Sequence, residues 1–380
     1  MTTGAFRTTP TSAMEVLVNI PPLNLLVIYE ALNANYRFAI SDKKEIRDLV
    51  DDELEKMNNV NPLTKITLSD HMCVKYNFEI NYAVEEFNRG KWLNKEIIFE
   101  PNDVIWYTDG SKMNTGTGSG LHCKDSNICT SLGVYATVFQ AEVHAIELCA
   151  RECLKDKLRE KRIFILSDSQ AAIQALCGCK ITSRLVWDCT VLLKELAKEN
   201  IVKLIWTPGH SGIEGNEKAD ELAREGSINK LHGPEPFCGI ALSTVKEGNK
   251  CWLKNKMQEV WSNSKRMKYA KIMMPTIKQN RANDFLNLSR KQSKTISRYF
   301  TGHGGFMKHL MNLRISNDNK CRICKEDEET AYHLLFNCRA LDRNRIKCFG
   351  KPTLNTNDLD DYTMKDFIKF INMNDTLGKI

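Results

Sequence analysis

No run of about 20 consecutive apolar residues occurs in this 380-residue chain, so no membrane-spanning helix is expected. The opening stretch "MTTGAFRTTPTSAMEVLVNIPPLNLLVIYE" is not expected to act as a secretory signal, because Asn19, Pro21, Pro22 and Asn24 interrupt its apolar segment. Internal repeats and strong low-complexity tracts are lacking too, so a repeat architecture is not expected. Without a secretory signal, the fourteen cysteines read as free thiols or metal ligands rather than a disulfide framework. Cys149, Cys153 and Cys177 fall in helical patterns where any small apolar side chain would serve. An intracellular location is the expectation.

A chain of this length can bury a full core and is expected to hold two domains or more. Its hydrophobic content of 42% and charged content of 27% are ordinary for a globular protein. The net charge of +7 is mild, but its placement is uneven. Between Val245 and Phe300 fourteen Lys and Arg residues face only Glu247, Glu259 and Asp284. Trp252, Trp261, Tyr269, Phe285 and Tyr299 are interleaved with them. Such a stretch suits phosphate contact with aromatic stacking, or else a solvated helical surface whose aromatics face a core.

The first hundred residues read as helical, interrupted at Pro21–Pro22, with a loosely packed connection at "DLVDDELEKMNNVNPLTK". From Asp103 the pattern changes to short strands, "VIWYTDG", "GSGLHC" and "NICTSLGV", separated by Gly, Asn, Asp and Ser. A helix over "TVFQAEVHAIELCARECLKDKL" follows, then a buried-type strand "RIFILSDS", helices over "QAAIQALC" and "TSRLVWDCTVLLKELAKEN", a strand "IVKLIWTPGH" and a helix "IEGNEKADELAREG" closed by Gly226. The order β-β-β-α-β-α-α-β-α predicts a mixed α/β sheet with helices on its faces. A linker-like "SINKLHGPEPFCG", the basic helical region, a Cys/His segment and a helical tail "TMKDFIKFINM" complete the chain.

Four acids stand at strand ends or on helices: Asp109 ends the first strand, Glu142 lies on the first helix, Asp168 ends the fourth strand and Asp220 lies on the closing helix. Each alone has a plain structural reading, Asp168 as a helix cap and Asp220 as a surface charge. Together, converging carboxylates repel unless divalent cations neutralise them, and two such cations suit in-line phosphoryl displacement by water. Glu147 shares the helix with Glu142 but sits about 140° around it, so only one of them can face the other acids.

The segments "YTDGSK" (107–112), "QAEVHAI" (140–146), "LSDSQAAIQAL" (166–176) and "TPGHSGIEGNEKADELA" (207–223) closely resemble the type 1 ribonuclease H domain, over about Asp103 to Gly226. That resemblance implies a mixed five-stranded sheet flanked by helices. It also implies cleavage of the RNA strand of an RNA–DNA hybrid with two Mg²⁺, Mn²⁺ serving as a substitute, leaving 5′-phosphate and 3′-hydroxyl ends. It makes Asp109, Glu142, Asp168 and Asp220 the metal ligands, Asp109 and Asp168 bridging, and leaves Glu147 on the outer face. By the same resemblance His210 shuttles a proton near the leaving group, Asn216 braces the site or touches substrate, and Ser111 and Asn114 contact the RNA backbone. Only "CGCKITSR" separates the short helix from the long one, which leaves no room for the basic handle of many family members. Substrate grip is then expected from the basic region after Val245.

A second motif, "CRICKEDEETAYHLLFNC", has the spacing C-x2-C-x8-H-x4-C through Cys321, Cys324, His333 and Cys338. Three thiolates and one imidazole make a closed tetrahedral set suited to one structural Zn²⁺, with Cys348 an extra thiol nearby. Retroviral knuckles have a shorter middle gap. This segment, with "YFTGHGGFMKHLMNLRI" before it and the opening "TTGAFRTTPTSAMEVLVNIPPLNL", resembles non-LTR retrotransposon polyproteins of insect type, here without the reverse transcriptase. "LVDD" (49–52) and "DLDD" (358–361) imitate a polymerase acid pair but read as solvated acids. The expected organisation is a helical connecting segment (1–100), the ribonuclease H domain (101–228), a basic helical region (229–300), and the CCHC zinc segment with its tail (301–380). Expected partners are an RNA–DNA hybrid and a reverse transcriptase in trans, with no membrane. The competing expectation is a catalytically idle nucleic-acid-binding remnant that uses the basic region and zinc segment.

Overall fold

A computed structural model describes residues 5–38, 68–94, 97 and 99–373. The expected loose connection at 48–65 and the acid pair at 49–52 lie outside the described residues. The chain forms two compact units, one from residues 31–250 and the other from both ends, 1–30 and 251–380. The expected segments 1–100 and 229–300 are therefore each shared between the units. Among the described residues no single helix is long and apolar enough to cross a membrane.

Helices α1 (Thr11–Val18) and α2 (Leu23–Phe38) are separated at Pro21–Pro22, where missing N–H groups and ring bulk forbid a continuous helix. Among the described residues, 68–86 depart from the helical expectation. Strands β1 (His71–Tyr76) and β2 (Ala83–Glu86) precede a short helix, α3 (Arg89–Leu93). Both strands are short and find their partners far along the chain, so tertiary pairing rather than local pattern makes them strands.

The next elements are β3 (Val104–Lys112), β4 (Thr117–Cys123), β5 (Ser126–Gly133), α4 (Val138–Lys155), β6 (Arg162–Ser167), α5 (Gln170–Cys177), β7 (Lys180–Ser183), α6 (Arg184–Leu196), β8 (Ile201–Trp206) and α7 (Glu214–Ile228). The expected order is present, with β7 added between α5 and α6. The main sheet runs β2-β8-β6-β3-β4-β5, so the five expected strands are joined by β2 as a sixth. β3, β4 and β5 form the antiparallel meander, while β3, β6, β8 and β2 are parallel neighbours. The "CGCKITSR" connection is β7, paired antiparallel with β1 as a separate two-stranded ribbon.

β6 reads as a continuous apolar run because both its faces are covered. Ile163 and Ile165 pack with Val143, Ile146 and Leu193, whereas Phe164 and Leu166 pack with Ile205, Phe99 and Ile105. On the meander, α7 lies backbone to backbone on β4. A Cβ at Gly120 would stand 2.2 Å from the Ala219 carbonyl oxygen and 2.4 Å from the Ala223 nitrogen. Gly226 does not close α7 as expected. The helix continues to Ile228, and Gly226 serves close packing, since a Cβ there would lie 2.7 Å from the Thr130 carbonyl oxygen.

After Val245 the chain is helical: α8 (Leu242–Asn263), α9 (Lys268–Met273), α10 (Gln279–Leu286), α11 (Arg290–Thr301), α12 (Met307–Asn312), α13 (Asp342–Phe349) and α14 (Met364–Asn372). α1 packs against α10 and α11. The stacking reading of the interleaved aromatics is corrected here. Trp261, Phe285 and Tyr299 are buried in an apolar core with Phe300, Phe336 and Phe367, and the Tyr269 hydroxyl donates to the Tyr299 carbonyl at 3.0 Å. Trp252 packs against Leu25, Leu253 and Met257. Lys246, Lys254, Lys265, Arg266, Lys268, Arg290, Lys291 and Lys294 are exposed, so the charge faces outward. In "DLDD", Asp358 pairs with Lys351, and Asp360 pairs with Lys278 and Arg281.

Because helix backbone cannot yield to a new methyl group, Gly120→Ala is expected to cost roughly 3 kcal/mol or more of stability. Urea unfolding checks it; a loss below about 1 kcal/mol would contradict the close helix–strand contact.

Candidate active site and Cys/His centre

β3 is longer than the sequence suggests, and Asp109 lies within it rather than at its tip. The parallel pairing of β3 with β6 ends at Thr108↔Ser167, while the antiparallel pairing with β4 continues to Lys112↔Thr117. Asp109 and Asp168 are thus the first residues past the end of the parallel register, on neighbouring strands. The helix-cap reading of Asp168 is also corrected. Ser169 caps α5 by accepting from the Ala172 N–H at 3.3 Å, so the Asp168 carboxylate does not serve as the cap.

Glu142 arrives from above β3. Thr137 and Gln140 form a capping box that fixes the start of α4. Gly110 then lets the helix close onto the strand, since a Cβ there would lie 2.6 Å from the Glu142 nitrogen. Carboxyl oxygens of Asp109, Glu142 and Asp168 lie within 4.8 Å of one another. Burial, reinforced by the Asp168 charge, raises the Asp109 carboxyl above the ordinary carboxylate range. Burial, with Asp109 and Asp168 adding repulsion, raises Glu142 as well. Asp168 is raised by burial, against the opposing effect of its hydrogen bond with Asn216.

The donor set fits a divalent cation. Glu142 Oε2 is buried without a hydrogen-bond partner, as are Asn216 Oδ1 and Thr207 Oγ1. Buried acceptors are ordinarily satisfied, and all-oxygen carboxylate clusters suit hard cations.

Asp220, on α7, is mostly buried, its charge helps raise the Asp109 carboxyl, and it pairs with Arg224. It is not one of the three tightly clustered acids. It groups instead with His210 and Glu217. His210 occupies the left-handed region at φ 49°, its side chain is 76% exposed, and its Nδ1 lies 4.0 Å from Asp220 Oδ2. Asn216 is buried beside Asp168. Ser111 is half-buried on β3, and Asn114 is exposed in the turn after it. Glu217 escaped the sequence reading; its carboxylate accepts from the Gly212 N–H at 3.3 Å and ties the His210 loop to α7. The outer-face assignment of Glu147 is corrected, since it is buried and paired with Arg151.

Cys321, Cys324, His333 and Cys338 bring their donor atoms within 4.8 Å of one another, and Cys324 Sγ lies 3.3 Å from His333 Nε2. A π-helical turn, His333–Asn337, carries the imidazole, and the Cys338 N–H donates to the His333 carbonyl at 2.7 Å. Asp327 lies 3.6 Å from His333 Nδ1. Fully buried Arg345 donates to the carbonyls of Leu334 and Cys338. This Cys₃His group is closed and braced from outside, as a structural zinc site requires. Cys348 is not in it; its thiol meets Met373.

Residues 101–228 match the family model for RNase H. The chain is 27% identical over 139 residues to the Pol polyprotein of Equine infectious anemia virus (strain Wyoming), covering 35% of this chain and 11% of that protein. It is 46% identical over 44 residues to a ribonuclease H of Maricaulis maris (strain MCS10), covering 12% of this chain and 29% of that protein. The chain thus spans only a minor part of either relative. Residues 101–228 form an RNase H family domain with a buried acidic triad.

In metal-free protein each triad acid is a weaker acid folded than unfolded, so stability falls as pH rises from the ordinary carboxylate value toward the raised ones. In EDTA, melting is expected to drop by at least about 3 °C between about pH 5 and pH 8, with Glu142→Gln removing most of the drop and Mg²⁺ reversing it. A slope that Glu142→Gln leaves unchanged would show that the triad is not its source.

Proposed function

We propose that this chain is a ribonuclease that hydrolyses the RNA strand of RNA–DNA hybrids. The observation that carries the reading is the buried Asp109–Glu142–Asp168 cluster, with the partnerless Glu142 oxygen in it, inside an RNase H family domain. Asp109, Glu142, Asp168 and Asp220 would hold two divalent cations, Mg²⁺ or Mn²⁺. When bound, the cations would supply a nucleophilic water and charge to neutralise the leaving oxygen. Asn216 fixes the Asp168 carboxylate by hydrogen bonding, so that the acid presents a constant face. His210, exposed to solvent and near Asp220, carries a proton to the leaving group and exchanges it with water. Ser111 and Asn114 contact the RNA backbone, where 2′-hydroxyls distinguish it from DNA. The exposed cations between Val245 and Phe300 add phosphate contacts.

The Cys₃His group holds one structural Zn²⁺ in this reading. With the likeness to a viral Pol polyprotein, it supports an origin in a retroelement polyprotein. The non-LTR type rests on the resemblance of the opening and C-terminal segments alone, and the reverse transcriptase of such an element would act in trans.

A labelled RNA–DNA hybrid with Mg²⁺ tests the activity. The intact chain is expected to cut the RNA strand, Asp109→Asn to lose roughly a thousandfold or more, and His210→Ala roughly a hundredfold. No cleavage, together with tight hybrid binding, would overturn the enzyme reading in favour of an idle binding protein. Metal analysis is expected to return about one zinc per chain, and Cys321→Ser to abolish it; less than about half an equivalent would contradict the zinc assignment.

A further inference from the structure

Residues 83–93 lie outside the matched domain, and nothing in the proposed chemistry uses them. They nonetheless reach the acidic site through consecutive hydrogen bonds. β2 runs along β8 from Ala83↔Lys203 to Glu86↔Trp206, and Glu85 pairs with Lys203 at 2.6 Å. Phe87 and Trp92 pack against the buried cluster of Phe164, Leu166 and Ile205. The Trp92 indole N–H donates to the Trp206 carbonyl at 3.0 Å, and the Trp206 indole N–H donates to the Asp168 carbonyl at 3.1 Å.

A second line starts from the same helix. Arg89 Nη2 donates to Ser211 Oγ at 3.4 Å, and the Ser211 hydroxyl donates to the Gly209 carbonyl at 3.0 Å. Gly209 packs on the Asp168 carboxylate so closely that a Cβ would lie 2.5 Å from Oδ2. The loop between β8 and α7 holds His210 and Gly212 at positive φ, a conformation that His210, unlike glycine, does not favour by itself. Outside anchors supply what the loop lacks, just as partners of metal ligands fix ligand orientation.

We infer that residues 83–93 are a functional part of the active site, with Trp92 a positioning residue for Asp168 and Arg89 one for the loop that carries His210. Only the kinetic consequence of this inference rests on the ribonuclease reading. A segment that merely covered the edge of β8 would add stability without setting the order of the loop or the affinity of the acids.

The test uses the full chain with Trp92→Phe, which keeps the ring and removes the N–H, and separately Arg89→Ala. Amide exchange across 207–212 is expected to accelerate about fivefold in either variant, with β3 and β6 still protected. Mn²⁺ binding is expected to weaken roughly tenfold in Trp92→Phe. In hybrid cleavage kcat should fall about fivefold with KM within about twofold. Unchanged exchange and Mn²⁺ affinity, with only a lower melting temperature, would overturn the inference. If the unmutated chain cuts no hybrid, the ribonuclease reading fails alone, and the exchange and Mn²⁺ measurements still decide this one.

Discussion

Three carboxyl groups held within 4.8 Å of one another and away from water oppose each other and have also lost hydration. Such a cluster persists only if the backbone beneath it cannot spread. Here the restraint comes from close packing. The parallel register of β3 and β6 places Asp109 and Asp168 side by side. Gly110 admits α4 to contact distance, and the capping box sets where Glu142 falls on that helix. α7, bearing Asp220, lies against β4 at Gly118 and Gly120, where side chains would hold it off. Tight backbone contact thus converts repulsion into affinity for a cation, because a site that cannot relax gains most from neutralisation.

The three acids of the buried triad were legible in the sequence because short motifs mark the strands and the helix that carry them. Their exact setting was less legible. Asp109 looked like a strand tip because glycine and serine follow it, yet pairing with β4 carries the strand three residues further. Ser169 took the capping role that Asp168 also suited. Helical spacing separated Glu142 from Glu147 correctly but not their exposure. α4 is buried from Gln140 to Ile146 and at Glu147 too, so a residue opposite the acids meets protein rather than water, and Arg151 answers its charge.

β1 and β2 were not legible at all. Their partners, β7 and β8, lie about a hundred residues away, and neither strand has enough length for a period to declare itself. The basic region shows the opposite difficulty. Its composition allowed either aromatic stacking or a helical core, and composition cannot choose between faces. The helices do so, placing Trp261, Phe285 and Tyr299 inward and the lysines outward.

The two metal-ligating groups differ in a way that follows from their donors. The Cys₃His group brings four donors together, and its backbone is fixed from outside by Arg345, which leaves no free position for a reacting molecule. The acidic group brings three oxygens with one unsatisfied, and a fourth acid stands beside a loop histidine that is open to solvent. The first arrangement suits a cation that holds the chain together, the second one that keeps exchanging ligands. An open site must take its rigidity from something other than its own cation. In this chain that rigidity comes from neighbouring segments, which is why the hydrogen bonds that reach the Asp168 carbonyl from Trp206, itself held by Trp92, and Ser211 from Arg89 matter to the acids despite the distance of Trp92 and Arg89 in sequence.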